Sequence, residues 1–297
     1  MKKKISIYPT EQKVFPYLLI LPNFLIFTIF IIIPFCYGIV MSFTNWKGIG
    51  AINFTGIENY IRIFSDSEYW DSIFRTLKYA LIYLPIAIIV PLFFATQLVK
   101  KIRFRGIYRT LFFWPSMISP IVIGISFRFI FGNSTGCINY LVQILGFSKL
   151  NLMTSNAGAI FVLILASVWC GTGGTMIIFM SGLENISTVY YEAAEIDGAT
   201  SRKKFFYITL PLLKPTMFLV FITGIITVFK TFALTMQLTQ GGPGDATKYV
   251  VQNIYDTAFS KAQLGYACTQ SLILTLIIAT FTVFQFKINK GGAINDN

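Results

Sequence analysis

The sequence predicts an all-α integral membrane protein with six transmembrane helices and both termini in the cytoplasm. Of its 297 residues, 55% are hydrophobic and 12% are charged, whereas soluble domains average about 45 to 50% apolar and about 25% charged residues. The hydrophobic residues form six runs, and each is long enough to cross a bilayer, because a spanning helix needs about 20 apolar residues. The Lys and Arg residues concentrate on one side of these runs, which indicates their orientation.

The six predicted spans follow one another along the chain and are separated by polar segments. They cover residues 16–42, 76–98, 107–131, 157–180, 215–237 and 267–286. The first run is too long for a signal peptide and has no small-residue cleavage site after it, so we expect it to stay in the mature protein. Residues 16–287 then form one transmembrane domain between a cytoplasmic N-terminal segment, residues 1–15, and a cytoplasmic tail, residues 288–297.

Cationic residues in short loops indicate the cytoplasmic side, because such loops resist translocation. Most of the 24 Lys and Arg residues lie before span one, after span two, after span four or after span six. These residues are Lys2, Lys3, Lys4, Lys13, Lys100, Lys101, Arg103, Arg105, Arg109, Arg202, Lys203, Lys204, Lys214, Lys287 and Lys290. The loop between spans four and five, residues 184–214, is therefore predicted to be cytoplasmic.

Prolines occur inside three of the predicted spans. They are Pro22, Pro34, Pro85, Pro91, Pro115 and Pro120. In a helix bundle the carbonyl groups freed by proline can be satisfied by neighbouring helices or by cavity water. Two interpretations stay open at this point: kinked helices around a pathway, or ordinary proline usage in a membrane protein.

The cytoplasmic loop between spans four and five predicts two short helices joined at a glycine. Ser187 or Thr188 can cap the first helix, and Gly198 can take the left-handed conformation that ends it. Thr200 or the serine after it can cap the second helix, and Pro211 closes the unit. We expect a compact helical hairpin.

The surface of this hairpin is suited to contact with another body. Ala193 and Ala194 allow close approach to the backbone, and Tyr190 and Tyr191 are aromatic anchors of the kind enriched at protein interfaces. The basic run that begins at Arg202 is equally able to contact anionic lipid headgroups. The residues alone leave protein docking and membrane-surface binding open.

The spacing of residues in the hairpin adds a family resemblance. Glu-Ala-Ala, three residues, Gly, nine residues and Ile-x-Leu-Pro are matched at Glu192, Ala193, Ala194, Gly198, Ile208, Leu210 and Pro211. This pattern resembles the coupling loop of the permeases of binding-protein-dependent ABC importers. The resemblance implies that the loop inserts into a groove on a cytoplasmic ATPase. The implied ATPase-coupling residues are Tyr191, Glu192, Ala193, Ala194, Asp197, Gly198, Ala199, Ile208, Leu210 and Pro211.

One position departs from the family pattern. Ser187 stands where proline is usual after Ile186. Serine is a good N-cap residue, so we expect coupling to survive this change.

Two further motifs are similar to the carbohydrate branch of the family, the maltose-type and glycerol-phosphate-type permeases. The first is the run Arg109–Pro115 at the opening of span three, and the second is Thr239-Gln240-Gly241-Gly242-Pro243 with Thr247. The resemblance implies the type I ABC importer permease architecture and a place in the plasma membrane of a prokaryote. It also implies a pore-forming subunit that moves a sugar or oligosaccharide inward.

The resemblance implies several partners and a separate source of energy. The partners are a second homologous permease, a cytoplasmic ABC ATPase dimer and an extracytoplasmic solute-binding protein, in addition to membrane lipid, with no nucleic acid. The sequence has no Gly-Lys dipeptide and so no phosphate-binding loop of the Gly-x-x-x-x-Gly-Lys type. We therefore expect ATP and magnesium on the partner ATPase, and no cofactor, metal site or catalytic residue on this chain.

Small and polar residues on spans four and five suggest a substrate pathway. Ser167, Gly171 and Gly174 share one face of span four, and Thr223, Thr227 and Lys230 have the same spacing on span five. Facing polar stripes could hydrogen-bond sugar hydroxyls. Two other interpretations remain open: the span-four stripe could pack against a neighbouring helix, and Lys230 could snorkel to the outer interface.

Other function classes are less well supported by the residues. An ABC permease for a non-sugar solute such as glycerol phosphate is the nearest alternative. An ion-coupled secondary transporter is disfavoured because no Asp or Glu lies deep in any of the six runs. A membrane-embedded enzyme is disfavoured because the chain has no His and no clustered carboxylates in its spans.

Overall fold

The computed structural model describes residues 10–100, 102–133 and 136–288, and these residues are almost entirely helical. The side chains of residues 10–14 and 288 are not included in the description. One isolated antiparallel bridge, between Thr44 and Phe54, is the β-type pairing found within the described ranges. The predicted all-α fold is confirmed. Residues 1–9 and 289–297, which contain most of the two predicted cytoplasmic end segments, lie outside the described ranges.

The α-helices follow one another with short connections. In chain order they are α1 (Thr10–Phe27), α2 (Ile33–Met41), α3 (Glu58–Phe64), α4 (Ser67–Leu98), α5 (Arg105–Phe113), α6 (Pro120–Phe131), α7 (Cys137–Ile144), α8 (Asn156–Glu184), α9 (Thr188–Ile196), α10 (Ser201–Lys204), α11 (Leu210–Leu212), α12 (Lys214–Phe229), α13 (Ala233–Leu238), α14 (Val250–Tyr255) and α15 (Leu264–Ile288). Three π-helical turns continue these helices, at Thr28–Ile32, Phe205–Thr209 and Asp256–Ser260, and a 3-10 turn covers Trp114–Met117.

Four helical runs are each long and apolar enough to cross a membrane alone. They are Phe15–Met41, Ser67–Leu98, Asn156–Glu184 and Leu264–Lys287, and they correspond to predicted spans one, two, four and six. Span two begins earlier than the predicted residue 76, because the Asp66 side chain accepts a hydrogen bond from the Tyr69 amide at 3.1 Å and starts α4 at Ser67. Pro85 and Pro91 lie inside α4 without interrupting it.

Predicted span three is not one straight helix. Arg105–Met117 and Pro120–Phe131 meet at an angle of 94°. The residue before a proline is pushed out of the helical region by the proline ring, and Ser119 has an extended ψ of 134°. Pro120 then begins α6, where its missing N–H leaves no helical hydrogen bond unmade. The two segments together supply the length of one span.

Predicted span five directly follows a bend, and its helix ends earlier than expected. Ser201–Leu212 and Lys214–Phe229 meet at 66°, and the prolines Pro211 and Pro215 on either side of the bend lack the N–H groups that a continuous helix requires. The predicted range 215–237 was wrong in its second half. The helix stops at Phe229, and a separate short helix, α13, follows after three residues.

The described residues form two compact units, and the smaller one consists of residues 10–65 and 255–273. In this unit Asn59 organises the segment that follows the first span. Its side-chain amide donates to the carbonyl oxygens of Ser42 and Thr44, each at 2.9 Å, and Thr269 donates to the same Ser42 oxygen at 2.9 Å. These bonds satisfy the carbonyl group of Ser42, the residue that caps α2, and that of Thr44 in the segment after it.

The larger unit consists of residues 66–254 and 274–288, and its helices α4, α8 and α12 pack together around a hydrophobic cluster. The buried members of this cluster are Leu92, Ala95, Leu98, Met176, Phe179, Met180, Leu183, Leu213 and Val220. They come from the C-terminal halves of α4 and α8 and from the beginning of α12. The cluster therefore lies at the end of the unit that carries the cytoplasmic loop.

Candidate coupling loop and translocation cavity

The loop between α8 and α12 folds into the predicted helical hairpin. Its first helix, α9, ends at Ile196, and Gly198 two residues later has a φ of +72°, the left-handed conformation expected for this glycine. The Thr200 side chain accepts a hydrogen bond from the Lys203 amide at 3.4 Å and caps α10, as predicted. Ser187 occupies the position before α9, but its side chain makes no capping hydrogen bond. The Ser187 side chain therefore does not cap α9, and the expectation that coupling survives this departure from the family pattern stays a prediction.

One face of α9 is exposed and apolar. Val189, Ala193 and Ile196 are spaced i, i+4 and i+7, so they share a face, and all three are exposed, Ile196 by 88%. Of the predicted coupling residues, Glu192, Ala193, Asp197, Gly198 and Pro211 are exposed, whereas Ala194 and Ala199 are half-buried. Val189 and Ile196 were missed in the sequence, although apolar residues at this spacing beside Ala193 were a signal that could have found them. The exposed stripe is available to a partner.

Other predicted coupling residues have partners inside the hairpin or in the core. The Tyr191 hydroxyl lies 2.9 Å from the Thr209 hydroxyl, and Thr209 is only 6% exposed. Leu210 packs against the hydrophobic cluster, and Ile208 is half-buried. These residues hold the hairpin on the end of the helix bundle. Their predicted role in coupling remains a prediction, and it would operate through the position of the hairpin.

Ion pairs reinforce the hairpin and its attachment to the spans. Lys204 donates to Glu195 at 2.6 Å and so joins the two halves of the hairpin. Arg105, at the start of α5, pairs with Glu184, at the end of α8. Exposed pairs of this kind each contribute little to stability, typically about 0.2–1 kcal/mol. The ion pairs help to orient the hairpin on the helix bundle, where the hydrophobic cluster already holds it.

A cavity of about 310 Å³ lies between α4, α8 and α12. Four of the six predicted pathway residues line it: Gly171 and Gly174 from α8, and Thr223 and Thr227 from α12. The remaining lining residues were missed in the sequence; they are Tyr83, Leu84, Ala87, Ile88, Ser116, Thr175, Ile178, Val220 and Gly224. The predicted facing stripes therefore meet at one cavity, while their role in transport remains a prediction.

The Thr223 and Thr227 hydroxyl groups at the cavity can accept hydrogen bonds more readily than they can donate them. Thr223 donates to the Leu219 carbonyl oxygen at 2.9 Å, and Thr227 donates to the Thr223 carbonyl oxygen at 2.8 Å. Each hydroxyl proton is thus engaged by the helix itself, which leaves the oxygen lone pairs for a ligand. Hydroxyl groups of a solute can donate to these oxygens without disturbing α12.

Two predicted pathway residues do not line the cavity. The Ser167 hydroxyl accepts a hydrogen bond from the Tyr79 hydroxyl at 2.8 Å, so it joins α8 to α4. Lys230 follows the last residue of α12 with φ −96° and ψ 4° and is exposed. The assumption that Lys230 continues the helical spacing of Thr223 and Thr227 was therefore wrong, because α12 ends before it.

The glycines of α8 permit the close packing that shapes this region. A side chain at Gly173 would place its Cβ 2.5 Å from the Phe112 carbonyl oxygen, nearer than non-bonded atoms approach. A Cβ at Gly171 would lie 3.4 Å from the Tyr83 hydroxyl. Gly173 thus allows the end of α5 to pack against α8, and Gly171 lies beside the Tyr83 hydroxyl at the cavity wall. Tyr83 lies in span two, outside the two polar stripes predicted on spans four and five.

Proteins of known family match most of this chain. The family model for the binding-protein-dependent transport system inner membrane component matches residues 64–290. A probable starch degradation products transport system permease of Thermoanaerobacterium thermosulfurigenes is 33% identical over 290 residues, which cover 98% of each chain. The arabinooligosaccharides transport system permease of Bacillus subtilis (strain 168) is 33% identical, over 94% of this chain and 90% of that protein.

Another relative and a solved structure are also similar to this chain. The sn-glycerol-3-phosphate transport system permease of Agrobacterium fabrum is 31% identical, over 93% of this chain and 94% of that protein. The crystal structure of a bacterial ABC transporter involved in the import of the acidic polysaccharide alginate contains a chain with a TM-score of 0.82 at 20% identity, over 94% of this chain and 96% of that chain. This likeness shows the fold. The chain belongs to the family of inner membrane components of binding-protein-dependent transport systems, and it is a multi-pass inner-membrane protein.

Proposed function

We propose that this chain forms half of the translocation pore of an ATP-driven importer for a sugar or oligosaccharide. The observation that carries the proposal is the path of two helices. α8 runs from the cavity at Gly171 and Gly174 to Glu184 at the start of the loop, and α12 runs from Lys214 at the end of the loop to Thr223 and Thr227 at the cavity. Any displacement of the hairpin therefore moves both of these cavity walls.

The distances along these helices suit mechanical coupling. Gly174 and Glu184 are separated by about 15 Å at the helical rise of about 1.5 Å per residue. Both helices enter the same hydrophobic cluster next to the hairpin, through Met180 and Leu183 of α8 and Val220 of α12. Packed interiors transmit displacement because they have little free volume to absorb it. A force on the exposed face of α9 would thus reach the cavity.

The energy source and the other subunits would be separate chains. In this proposal an ABC ATPase dimer, which carries ATP and magnesium, binds the exposed stripe of Val189, Ala193 and Ile196. A second homologous permease completes the pore, and an extracytoplasmic solute-binding protein delivers the ligand. Support for the last partner comes from the structure of the alginate transporter, which was solved in complex with an alginate pentasaccharide-bound periplasmic protein.

The cavity chemistry favours a neutral sugar over a phosphate ester. Among the described residues that line the cavity there is no Lys or Arg to pair with a phosphate and no Asp or Glu. The Thr223 and Thr227 oxygens are acceptors, and Tyr83 adds an aromatic ring and a hydroxyl group. Relatives named for starch degradation products and for arabinooligosaccharides support the same substrate class. Because one relative is named for the transport of sn-glycerol-3-phosphate, glycerol phosphate is the competing candidate solute.

The proposed function is tested at Gly198. An Asp side chain at φ +72° is strained and adds a charge beside the exposed face of α9, although no atom lies within 4 Å of the new Cβ. We expect Gly198→Asp to abolish ATP-dependent sugar uptake in the assembled transporter, while the amount of protein in the membrane stays unchanged.

A matched control is available at Gly146. This glycine has φ +81° and also has no atom within 4 Å of a new Cβ, but it lies in the loop before α8 on the opposite side of the membrane. Gly146→Asp carries the same change and the same backbone strain, and we expect it to retain uptake. Normal uptake by Gly198→Asp, or equal loss in both variants, contradicts a coupling role for the hairpin.

A further inference from the structure

A second cavity, of about 580 Å³, lies behind the coupling hairpin. Its walls include Val99 and Lys100 just beyond the end of α4, Leu183 and Glu184 at the end of α8, and residues of both halves of the hairpin. α4 and α8 are membrane spans, and the charge distribution of the sequence places these two ends on the cytoplasmic side. The cavity therefore lies at the level of the cytoplasmic lipid headgroups.

The charges around this cavity are unbalanced. Lys100, Arg202 and Lys204 line it, together with a single acid among the described lining residues, Glu184. Glu184 already pairs with Arg105, and Lys204 already pairs with Glu195. The Lys100 ammonium donates to the neutral Gln97 side chain at 3.0 Å, and none of the described ion pairs joins Arg202 to a carboxylate. Two positive charges thus remain at the rim.

The lining of the cavity has an apolar part and a polar part. Its apolar part, which we call the floor, is formed by Val99, Leu183, Ile186 and Phe205, and all four belong to the hydrophobic cluster or pack against it. Thr188, at the start of α9, lines the same space. A ligand that matches both parts has an anionic head and an apolar body.

The cavity and the exposed stripe of the hairpin are on different faces of α9. Thr188 and Tyr191, at spacing i and i+3, line the cavity, whereas Val189, Ala193 and Ile196 form the exposed stripe. A partner that binds the stripe would therefore contact a different face of α9 from the one that lines the cavity. The basic residues of the hairpin are therefore available to lipid at the same time as its apolar face is available to protein.

We propose that this cavity binds the phosphate headgroup of an anionic phospholipid from the cytoplasmic leaflet. Lys100 and Arg202 contact the phosphate, and the glycerol and upper acyl chain cover the apolar floor. Basic pockets at the cytoplasmic ends of transmembrane helices are suited to anionic headgroups, because each cation near the surface adds about 1 kcal/mol of attraction. The inference goes beyond the proposed function and stands if that function fails, because it concerns lipid binding and not transport.

The test is a titration of the full chain with phospholipid, read out by native mass spectrometry. Phosphatidylglycerol is the anionic probe and phosphatidylcholine the neutral one. We expect Lys100→Gln and Arg202→Gln each to weaken phosphatidylglycerol binding about fivefold, which is the factor that about 1 kcal/mol corresponds to. The double variant should lose about 25-fold if the two contributions add, while phosphatidylcholine binding stays unchanged.

The matched control is Lys203→Gln. Lys203 is next to Arg202 and carries the same charge, but it does not line the cavity, so its loss should weaken phosphatidylglycerol binding less than twofold. Equal weakening by Lys203→Gln and Arg202→Gln means a diffuse surface charge effect and overturns the proposal. Displacement of the lipid by millimolar inorganic phosphate assigns the site to a soluble anion, and loss of lipid when the ATPase binds assigns it to the protein interface. Either result also overturns the proposal.

Discussion

Single hydroxyl groups carry the proposed recognition of the solute. The Thr227 hydroxyl donates to the Thr223 carbonyl oxygen and offers its lone pairs to the cavity. This division of the hydroxyl between helix and cavity could not be read from the sequence. The spacing of Thr223 and Thr227 predicts a common face, but only the structure shows which atom is engaged.

Thr227→Val tests this role with a side chain of similar shape. The substitution removes the acceptor, so one hydrogen bond to the solute, worth about 1 kcal/mol, is lost. We expect the apparent KM for sugar uptake to rise about fivefold with little change in kcat. Thr282→Val is the control, because Thr282 makes the same kind of bond, to the Ile278 carbonyl oxygen at 2.8 Å, away from the cavity. Equal KM values for Thr227→Val and the unmodified transporter contradict the assignment.

At the scale of elements, the coupling hairpin was predicted better than the spans. Its helix break at Gly198 and its cap at Thr200 follow from local backbone chemistry, which a few neighbouring residues determine. The bend inside span three and the bend just before span five depend on which prolines interrupt a helix. Pro85 and Pro91 are accommodated inside α4, whereas Pro120 begins a new helix. The packing around each proline decides whether the helix continues through it or a new helix begins, and this packing cannot be read from the sequence.

The hydrogen bond between Tyr191 and Thr209 inside the hairpin gives a prediction at this scale. Tyr191→Phe and Thr209→Val each remove the hydrogen bond between the two hydroxyl groups, at a cost of about 0.5–1.5 kcal/mol. We expect each single variant to lower the unfolding temperature of the purified protein. The double variant should cost less than the sum of the singles, because both lose the same bond.

Tyr190→Phe serves as the control for this cycle. Tyr190 is exposed, and its hydroxyl makes none of the hydrogen bonds found in the hairpin. The unfolding temperature of the Tyr190→Phe variant should therefore equal that of the unmodified protein. Fully additive losses in the double variant are incompatible with a direct Tyr191–Thr209 bond.

At the scale of the whole molecule, sequence reasoning identified the class of protein but not the position of its pathway residues. Composition and the length of the hydrophobic runs predicted a membrane helix bundle. The spacing from Glu192 to Pro211 predicted the family, and the family model that matches residues 64–290 confirms it. The cavity was only partly predicted. Tyr83 and Ser116 belong to other helices than the two polar stripes, and their meeting with Gly171 results from tertiary packing.

The central claim is that the hairpin and the cavity move together through α8 and α12. It is tested by the reaction of a cysteine at Thr227 with a membrane-impermeant thiol reagent, in an assembled transporter whose own cysteines, Cys36, Cys137, Cys170 and Cys268, have been replaced. We predict that trapping the ATPase in its nucleotide-bound state changes the reaction rate of Thr227→Cys about tenfold or more, since closing a site to solvent by about 1.4 kcal/mol gives that factor. The change should disappear when Gly198→Asp is added. A reaction rate that responds to nucleotide equally with and without Gly198→Asp would contradict the account.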